Sequence, residues 1–365
     1  MRLRAPILSG AKVAMLVRFV FACQATAITA PAHASQEAGG RHAMVVSRHP
    51  EASRVGAEIL REGGNAVDAA VAVSMALAVV LPQAGNLGGG GFLLFRRQSD
   101  GFATAIDYRE TAPAAAHRDA YLDANGELDT LRVRTGYQAA GVPGTVAGLH
   151  FAWSKYGKLP WSRLLEPAIE LATEGFEVNG ELAGLIAEER VRLAQFPEAA
   201  ALFLDDGKPL PAGRRIKQPE LAQTLRAIAT GGPDVFYTGS IAATLASEMQ
   251  RGGGWITLAD LAAYRPVERE VLRGRYRDLE ILGMPPPSSG GVTLLQILGM
   301  LEGFDLANYQ PRPAIPVHLV AEAMALAFAD RNTFLGDPDF VSIPLDALLS
   351  PEYLAQRRSM ISLDR

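Results

Sequence analysis

The segment from Asn65 to Val80, NAVDAAVAVSMALAVV, limits the possible folds more than any other part of the chain. It has the length of a helix, and its residues are small and apolar on almost every side, so other elements must cover most of its faces. Asp68 interrupts it and Pro82 ends it, and it is shorter than the roughly 20 apolar residues of a membrane span. The segment therefore predicts a buried helix inside a globular protein, packed closely through its alanines.

Capping and turn residues predict the elements around this helix. A short strand is expected at Ala43–Ser47 and a helix at 50–61, which Gly63 and Gly64 end. FLLFRR and FATAIDYRE, joined by QSDG, predict a β-hairpin. Further helices are predicted from Pro219 to just before Gly231, after the N-cap Thr257, at 292–301, and in the segment that begins at His318. No linker separates two domains, so we expect one α/β domain whose strands come mostly as hairpins.

The first 34 residues differ from the rest of the chain. A basic start is followed by an apolar stretch from Val13 to about Ala30, and Ala32-His33-Ala34 then gives a small-x-small pattern. This predicts a secretory signal peptide at residues 1–34, cleaved after Ala34, and a mature region at 35–365 that is secreted or periplasmic. A lipoprotein site at Cys23 is the alternative, which Phe21 fits poorly.

Removal of that leader changes the charge and the thiol content. The leader carries four of the 35 basic residues and none of the 39 acidic ones, so the formal net charge falls from −4 to −8. It also carries Cys23, the only cysteine, which excludes disulfides and cysteine catalysis in the mature protein. An acidic surface without a basic run argues against nucleic acid as a partner. The six histidines form no HxxxH pair, so no metal site is expected.

Two motifs invite catalytic interpretations that their context does not support. The glycines at 88–91 follow a helix and precede a strand, whereas a dinucleotide-binding turn needs the reverse order. We expect them to let the backbone pass close to another element. Ser288 and Ser289 lie in PPPSSGG, without the GxSxG pattern of a nucleophile elbow, and nothing ties His318 to them as a base. We expect a structural turn at these serines. No cofactor is expected for this protein.

Arg109, in AIDYRETAP, is the strongest candidate for a binding residue. If a strand runs from Ala103 to Arg109, then Ile106 and Tyr108 face one side and Arg109 shares the other side with Asp107. Arg109 could pair with Asp107 or lie in solvent. Alternatively, its planar guanidinium could hold a substrate carboxylate through two charge-assisted hydrogen bonds. The residues alone leave both interpretations open.

Eight stretches in order resemble the γ-glutamyltranspeptidase family, also called glutathione hydrolases. They cover about residues 41 to 345 and read GGNAVDAAVA, NLGGGGF, AIDYRETAP, GVPGTVAG, GPDVFYTG, ITLADLAAY, MPPPSSGG and ADRNTFLGDPDF. The resemblance implies an exported precursor with the four-layer αββα sandwich of N-terminal-nucleophile hydrolases, which cuts itself into a large and a small subunit. It also implies that the arginine of DYRE, Arg109, binds the α-carboxylate of a γ-glutamyl substrate.

In this family the first threonine of the small subunit attacks the γ-glutamyl amide of glutathione, and its own α-amino group acts as the base. The acyl group then passes to water, an amino acid or a peptide. The family's Thr-Thr-His motif occurs nowhere in the 365 residues. The resemblance therefore implies the large-subunit part of the fold, incomplete and inactive alone, with no catalytic residue of its own and with the small subunit as its partner.

Two alternatives remain beside a γ-glutamyltransferase. One is a related acylase that acts on β-lactam side chains or on poly-γ-glutamate. The other is a non-catalytic exported protein that binds γ-glutamyl ligands or a partner chain. Neither alternative involves nucleic acid or stable membrane insertion.

Overall fold

The computed structural model describes residues 39–309 and 314–362. The chain divides into two compact units, Met1–Met44 and Val45–Arg365. The described part of the first unit contains no helix or strand. The signal peptide predicted at residues 1–34 lies outside the described residues. All elements below belong to the second unit.

The strand expected at Ala43–Ser47 is wrong, because this segment is irregular. Val46 is 83% exposed, and no strand of the described residues pairs with this segment. Ser47 instead bonds to the start of the following helix, since its backbone N–H donates to the Ser53 hydroxyl at 3.1 Å and its own hydroxyl donates to the His49 carbonyl at 2.9 Å. Local side-chain hydrogen bonds replace strand pairing here.

The described residues form sixteen α-helices and two short 3₁₀ turns. The helices before residue 200 are α1 Pro50–Arg61, α2 Ala66–Val80, α3 Thr130–Arg134, α4 Thr145–Tyr156, α5 Trp161–Glu174, α6 Gly180–Glu188, α7 Arg190–Leu193 and α8 Pro197–Phe203. Those that follow are α9 Pro219–Gly231, α10 Asp234–Tyr237, α11 Ser240–Arg251, α12 Leu258–Ala263, α13 Gly290–Leu301, α14 Ala314–Phe334, α15 Leu345–Leu348 and α16 Pro351–Arg358. The 3₁₀ turns are Tyr137–Ala139 and Leu306–Tyr309. The helix predicted at 50–61 is confirmed with the same bounds. The helix predicted from Pro219 is also confirmed, but it includes Gly231, which was expected to lie just past its end.

The strands of the described residues pair only in antiparallel fashion. They are β1 Phe92–Arg96, β2 Ala103–Asp107, β3 Phe176–Glu177, β4 Leu204–Asp205, β5 Lys208–Pro209, β6 Arg215–Ile216, β7 Val267–Arg269, β8 Leu272–Tyr276 and β9 Leu279–Gly283. One sheet has three strands in the order β1-β2-β7, and the others are the pairs β3-β6, β4-β5 and β8-β9. In the larger sheet Asp107 lies opposite both Phe92 and Val267.

Helix α2 is buried as its composition predicts. Asn65 caps it by accepting from the Val67 and Asp68 N–H groups, and the Asp68 carboxylate accepts from the Asn65 N–H at 2.8 Å. The same carboxylate, fully buried, accepts from the Lys158 N–H at 2.9 Å. The interruption at Asp68 is therefore a capping box that also ties the helix to the loop after α4. No helix of the described residues is long and apolar enough to cross a membrane.

Most of the core lies before residue 265. It is one cluster around α2, to which α1, α4, α5 and α9 contribute fully buried side chains such as Ile59, Leu149, Leu164 and Leu225. A separate, smaller cluster of five buried residues lies between α13 and α14, namely Met300, Leu301, Leu319, Ala323 and Ala327.

Helices and antiparallel hairpins in one compact unit confirm the α/β class. The outer strands β1 and β7 each have a single neighbour among the described residues. Leu94 and Val267 on these strands are 45% and 40% exposed. A four-layer αββα sandwich needs larger sheets than these, so the described chain supplies only part of that architecture.

Candidate functional site

Arg109 lies two residues beyond the end of β2, in an irregular segment. Its backbone is held on both sides, since its N–H donates to the Asp107 carboxylate at 3.1 Å and its carbonyl accepts from the Tyr264 hydroxyl at 2.8 Å. The strand expected to reach Arg109 thus ends at Asp107. These two bonds fix the position from which the Arg109 side chain extends.

The interpretation that pairs Arg109 with Asp107 is wrong. The Asp107 carboxylate is engaged by the Arg269 guanidinium, at 2.9 Å between Nε and Oδ2, and the backbone N–H of Arg109 takes its other oxygen. Within the described residues the Arg109 guanidinium forms no ion pair. It is exposed and lines a cavity of about 780 Å³.

Glycines allow the chain to pack tightly behind Arg109. A Cβ at Gly90 would lie 2.5 Å from the Tyr108 carbonyl oxygen, and a Cβ at Gly144 would lie 2.1 Å from the same atom. The Gly144 N–H donates to the Gly89 carbonyl at 2.7 Å, which joins the glycine run to the start of α4. The expectation that the glycines serve close backbone approach is confirmed at Gly90.

Tyr264 forms part of the cavity wall and supports Arg109. Burial, followed by the neighbouring Tyr237 and Asp107, raises the pKa of the Tyr264 phenol above its ordinary value. The hydroxyl therefore stays protonated at physiological pH and remains a hydrogen-bond donor to the Arg109 carbonyl. Tyr237 stacks on Tyr264 with ring centroids 5.7 Å apart.

The cavity carries both signs of charge in equal number. Its charged lining residues are Asp107, Arg109, Glu110, Arg265, Arg269, Arg331, Asp337 and Asp339. Arg269 is occupied by Asp107 and lies 3.7 Å from Asp339. Such a mixed lining suits a zwitterionic ligand, such as an amino-acid head group, better than a polyanion.

A second wall of the cavity comes from the segment just before α13 and from the end of α14. Ser288 and Ser289 form the predicted turn, in which the Ser288 hydroxyl accepts from the Gly290 N–H at 3.3 Å. Both serines also line the cavity, together with Arg331 and Asn332. The Ser289 hydroxyl accepts from Nε of Arg331 at 3.0 Å.

No nucleophile and base are paired among the described residues that line the cavity. His318 does not line the cavity, and its Nε2 lies 2.6 Å from the Ser362 carbonyl oxygen. The described residues also contain no group of three or more acidic, histidine or cysteine side chains that could hold a metal ion. The arrangement can bind a charged ligand, but its described lining has no activated nucleophile.

A buried polar network holds the helix turn that carries Arg331. Asp330 is 2% exposed, and its carboxylate accepts from Gln296 Nε2 at 3.0 Å, from the Tyr353 hydroxyl at 2.8 Å and from Arg357. The pKa of the Arg357 guanidinium is raised, mainly by its hydrogen bond to Asp330. The network joins α13, α14 and α16, and so sets the position of the second wall.

Sequence analysis assigned no role at this site to Tyr264, Ser289 or Arg331. Their motifs ITLADLAAY, MPPPSSGG and ADRNTFLGDPDF carry part of the family resemblance, but none of them indicates a shared cavity. Arg109 remains the residue that the sequence identified, and it lies at this cavity.

Solved structures with the same architecture define the class of the fold. The chain is similar to the crystal structure of Helicobacter pylori gamma-glutamyltranspeptidase, with a TM-score of 0.87 and 40% identity over 90% of this chain and 94% of that one. It is also similar to a cephalosporin acylase from Bacillus halodurans, with a TM-score of 0.79 and 29% identity over 90% and 62% of the two chains. The fold is that of the α/β N-terminal-nucleophile hydrolases.

The family follows from the sequence match. A family model described as gamma-glutamyltranspeptidase matches residues 52–365, and the chain belongs to this family, of which it is the large-subunit part. A glutathione hydrolase proenzyme of Escherichia coli (strain K12) is 48% identical over 326 residues, which are 89% of this chain and 56% of the relative. The chain thus spans about half the length of the curated relatives it matches.

Proposed function

We propose that this chain is the large-subunit part of an exported γ-glutamyltransferase, or glutathione hydrolase. The complete enzyme would transfer the γ-glutamyl group of glutathione and related compounds to water, amino acids or peptides. One observation carries the proposal: in a chain of this family, the Arg109 guanidinium has no acidic partner among the described residues and lines the 780 Å³ cavity.

Arg109 would bind the α-carboxylate of the γ-glutamyl donor. Its planar fork can give two parallel N–H···O bonds, which fix the orientation of the glutamyl group as well as hold it. The cavity volume lies within the range of small-molecule sites, about 300–1,000 Å³. Acids on the same lining, such as Glu110, would face the α-ammonium of the donor.

The nucleophile would come from the small subunit, as the family's chemistry implies. The threonine hydroxyl would attack the γ-carbonyl while its proton passes to the threonine α-amino group. Collapse of the tetrahedral intermediate would then break the amide bond, and the α-ammonium would return that proton to the nitrogen of the leaving peptide, which departs as an amine. Water or an amine then attacks the acyl-enzyme and frees the threonine. The role of the chain described here would be to bind and orient the donor.

We also infer that residues 1–34 direct export and are removed after Ala34. The basic start, apolar stretch and small-x-small site support this inference. The N-terminal sequence of the protein recovered from a periplasmic or culture fraction tests it, and it should begin at Ser35. Retention of residues 1–34 in the exported protein would argue against it.

Substitution of Arg109 in the complete enzyme tests the main proposal. We expect Arg109→Gln to lower kcat/KM for glutathione about 100-fold, because two charge-assisted hydrogen bonds are lost. Arg109→Lys keeps the charge but not the fork, and should lower it about 10-fold. Steady-state release of glutamate measures both.

Arg61→Gln is the matched control, since Arg61 is exposed in the last turn of α1 and does not line the cavity. It should keep wild-type kinetics. Near-normal turnover in Arg109→Gln would remove Arg109 from the binding site.

Two other functions, a related acylase and a non-catalytic binding protein, can be distinguished from the main proposal by further measurements. The similarity to a cephalosporin acylase favours the acylase as the second candidate. Acyl-donor profiling of the complete enzyme, with γ-glutamyl, β-lactam side-chain and poly-γ-glutamate donors, distinguishes it. For a non-catalytic binding protein, calorimetry on residues 35–365 would detect glutamate or glutathione binding while the complete protein shows no turnover.

A further inference from the structure

The cavity that Arg109 lines has a second guanidinium that forms no ion pair among the described residues. Arg331 forms no ion pair among the described residues, although it lines the same cavity as Arg109. By contrast, Arg269 in this cavity is bound to Asp107 and lies near Asp339. Arg265 donates one amino group to two backbone carbonyls, those of Ala262 and Tyr264.

The Arg331 side chain is oriented rather than free in solvent. Its Nε donates to the Ser289 hydroxyl at 3.0 Å, its Nη1 donates to Asn332 Oδ1 at 2.9 Å, and its guanidinium lies 5.8 Å from the Phe328 ring centroid. The preceding residue, Asp330, is fixed by the buried network with Gln296, Tyr353 and Arg357 described above. This positioning reduces the conformational entropy that binding a ligand would cost.

The unused hydrogen-bond donors of Arg331 and Ser289 indicate an anionic ligand. A guanidinium has five N–H donors, and in the described residues the second amino group of Arg331 has no recorded acceptor. The Ser289 oxygen accepts from Arg331, so its own hydrogen is available to donate to a ligand. One Arg N–H group and one Ser O–H together match the two oxygens of a carboxylate.

We propose that Arg331 and Ser289 form a second carboxylate subsite, which recognises the free C-terminal carboxylate of a γ-glutamyl peptide. This inference rests on the proposed function, in which Arg109 binds the α-carboxylate at the other end of the donor. Glutathione carries one carboxylate at each end, with the scissile γ-amide between them. The two arginines would hold a donor across the cavity and favour peptide donors over γ-glutamyl amides without a terminal carboxylate.

A pair of donors that differ only in this carboxylate tests the subsite in the complete enzyme. The pair is glutathione and the same tripeptide with its C-terminal carboxylate converted to an amide. We expect the wild-type enzyme to favour glutathione about 10-fold in kcat/KM, and Arg331→Gln to bring this ratio close to one. Ser289→Ala should reduce the ratio in the same direction, and Arg331→Lys should restore part of it.

Two reference variants distinguish a loss of carboxylate recognition from a general loss of activity. Arg109→Gln should lower kcat/KM for both donors while the ratio persists, and Arg61→Gln should change neither. The subsite is overturned if the wild-type enzyme does not distinguish the two donors, or if Arg331→Gln lowers both equally. Turnover of neither donor by the wild-type enzyme would overturn the proposed function, and the subsite with it.

Discussion

The region before residue 266 and the region after residue 290 are stabilised in different ways. The first buries its apolar side chains in one large cluster around α2. The second has five buried residues in its own cluster, whereas Val317 and Phe328 on α14 are 68% and 44% exposed. Its most buried charged group, Asp330, is tied by hydrogen bonds to three other side chains.

The candidate site lies where these two regions meet, and the difference bears on how it works. Arg109 and Tyr264 extend from the large core, whose packing defines a single arrangement. Ser289 and Arg331 extend from the smaller region, whose arrangement depends on the Asp330 network. The residues that would bind one end of a ligand are thus held in place by apolar packing. Those that would bind the other end are held by a few polar contacts.

The largest expected effect on the free energy of unfolding comes from truncating one buried leucine to alanine in each of the two apolar clusters. Leu164 on α5 and Leu319 on α14 are both 0% exposed. We expect Leu164→Ala to lower the free energy of unfolding by about 4 kcal/mol and Leu319→Ala by about 2 kcal/mol, because a small cluster near the surface can collapse around the lost atoms. Urea unfolding of residues 35–365 measures both, and equal losses would contradict the contrast between the regions.

A second, smaller effect tests the polar network directly. Asp330→Ala should lower the free energy of unfolding by about 3 kcal/mol, because it leaves the half-buried Arg357 without its partner. The double variant Asp330→Ala/Arg357→Ala should lose less than the single one, since no unpaired charge remains. Arg54→Ala, which breaks exposed pairs with Glu51 and Glu58, is the control and should cost about 0.5 kcal/mol.

Additive losses from Asp330→Ala and Arg357→Ala would mean that the two groups do not depend on each other. The second wall would then owe its position to packing, as the first wall does. In that case Arg331 would keep its orientation in both single variants, and the donor ratio described above would not change.

Elements with local signals were predictable from the sequence, and those without them were not. The capping box at Thr257 acts within three residues and is present as expected, whereas the one at Asn65 was not predicted. The strand predicted at Ala43–Ser47 is wrong because a short apolar run forms a strand only where a partner strand exists. The hairpin of β1 and β2 has its partner within a few residues, and it was predicted.

The residues of the candidate site also fall into two groups, those that a local motif indicated and those that only tertiary contacts bring to the cavity. Arg109 could be identified from a motif. That its guanidinium does not pair with Asp107 could not be predicted, because Arg269 binds that carboxylate from β7, far along the chain. The meeting of Arg331 with Arg109 at one cavity likewise depends on tertiary contacts between α13, α14 and the sheet. Sequence reasoning therefore found one side of the site and missed the other.

The smallest expected effect on stability comes from the exposed face of α14. Val317 lies two residues before Leu319 but points to the opposite side of the helix, and the described residues leave it 68% exposed. Val317→Ser should therefore change the free energy of unfolding by less than about 0.5 kcal/mol in the same urea experiment, against about 2 kcal/mol for Leu319→Ala. A loss of more than about 1 kcal/mol in the free energy of unfolding would instead mean that Val317 packs against other residues of this chain. The apolar face of α14 would then be buried within the chain, as the N-terminal core is.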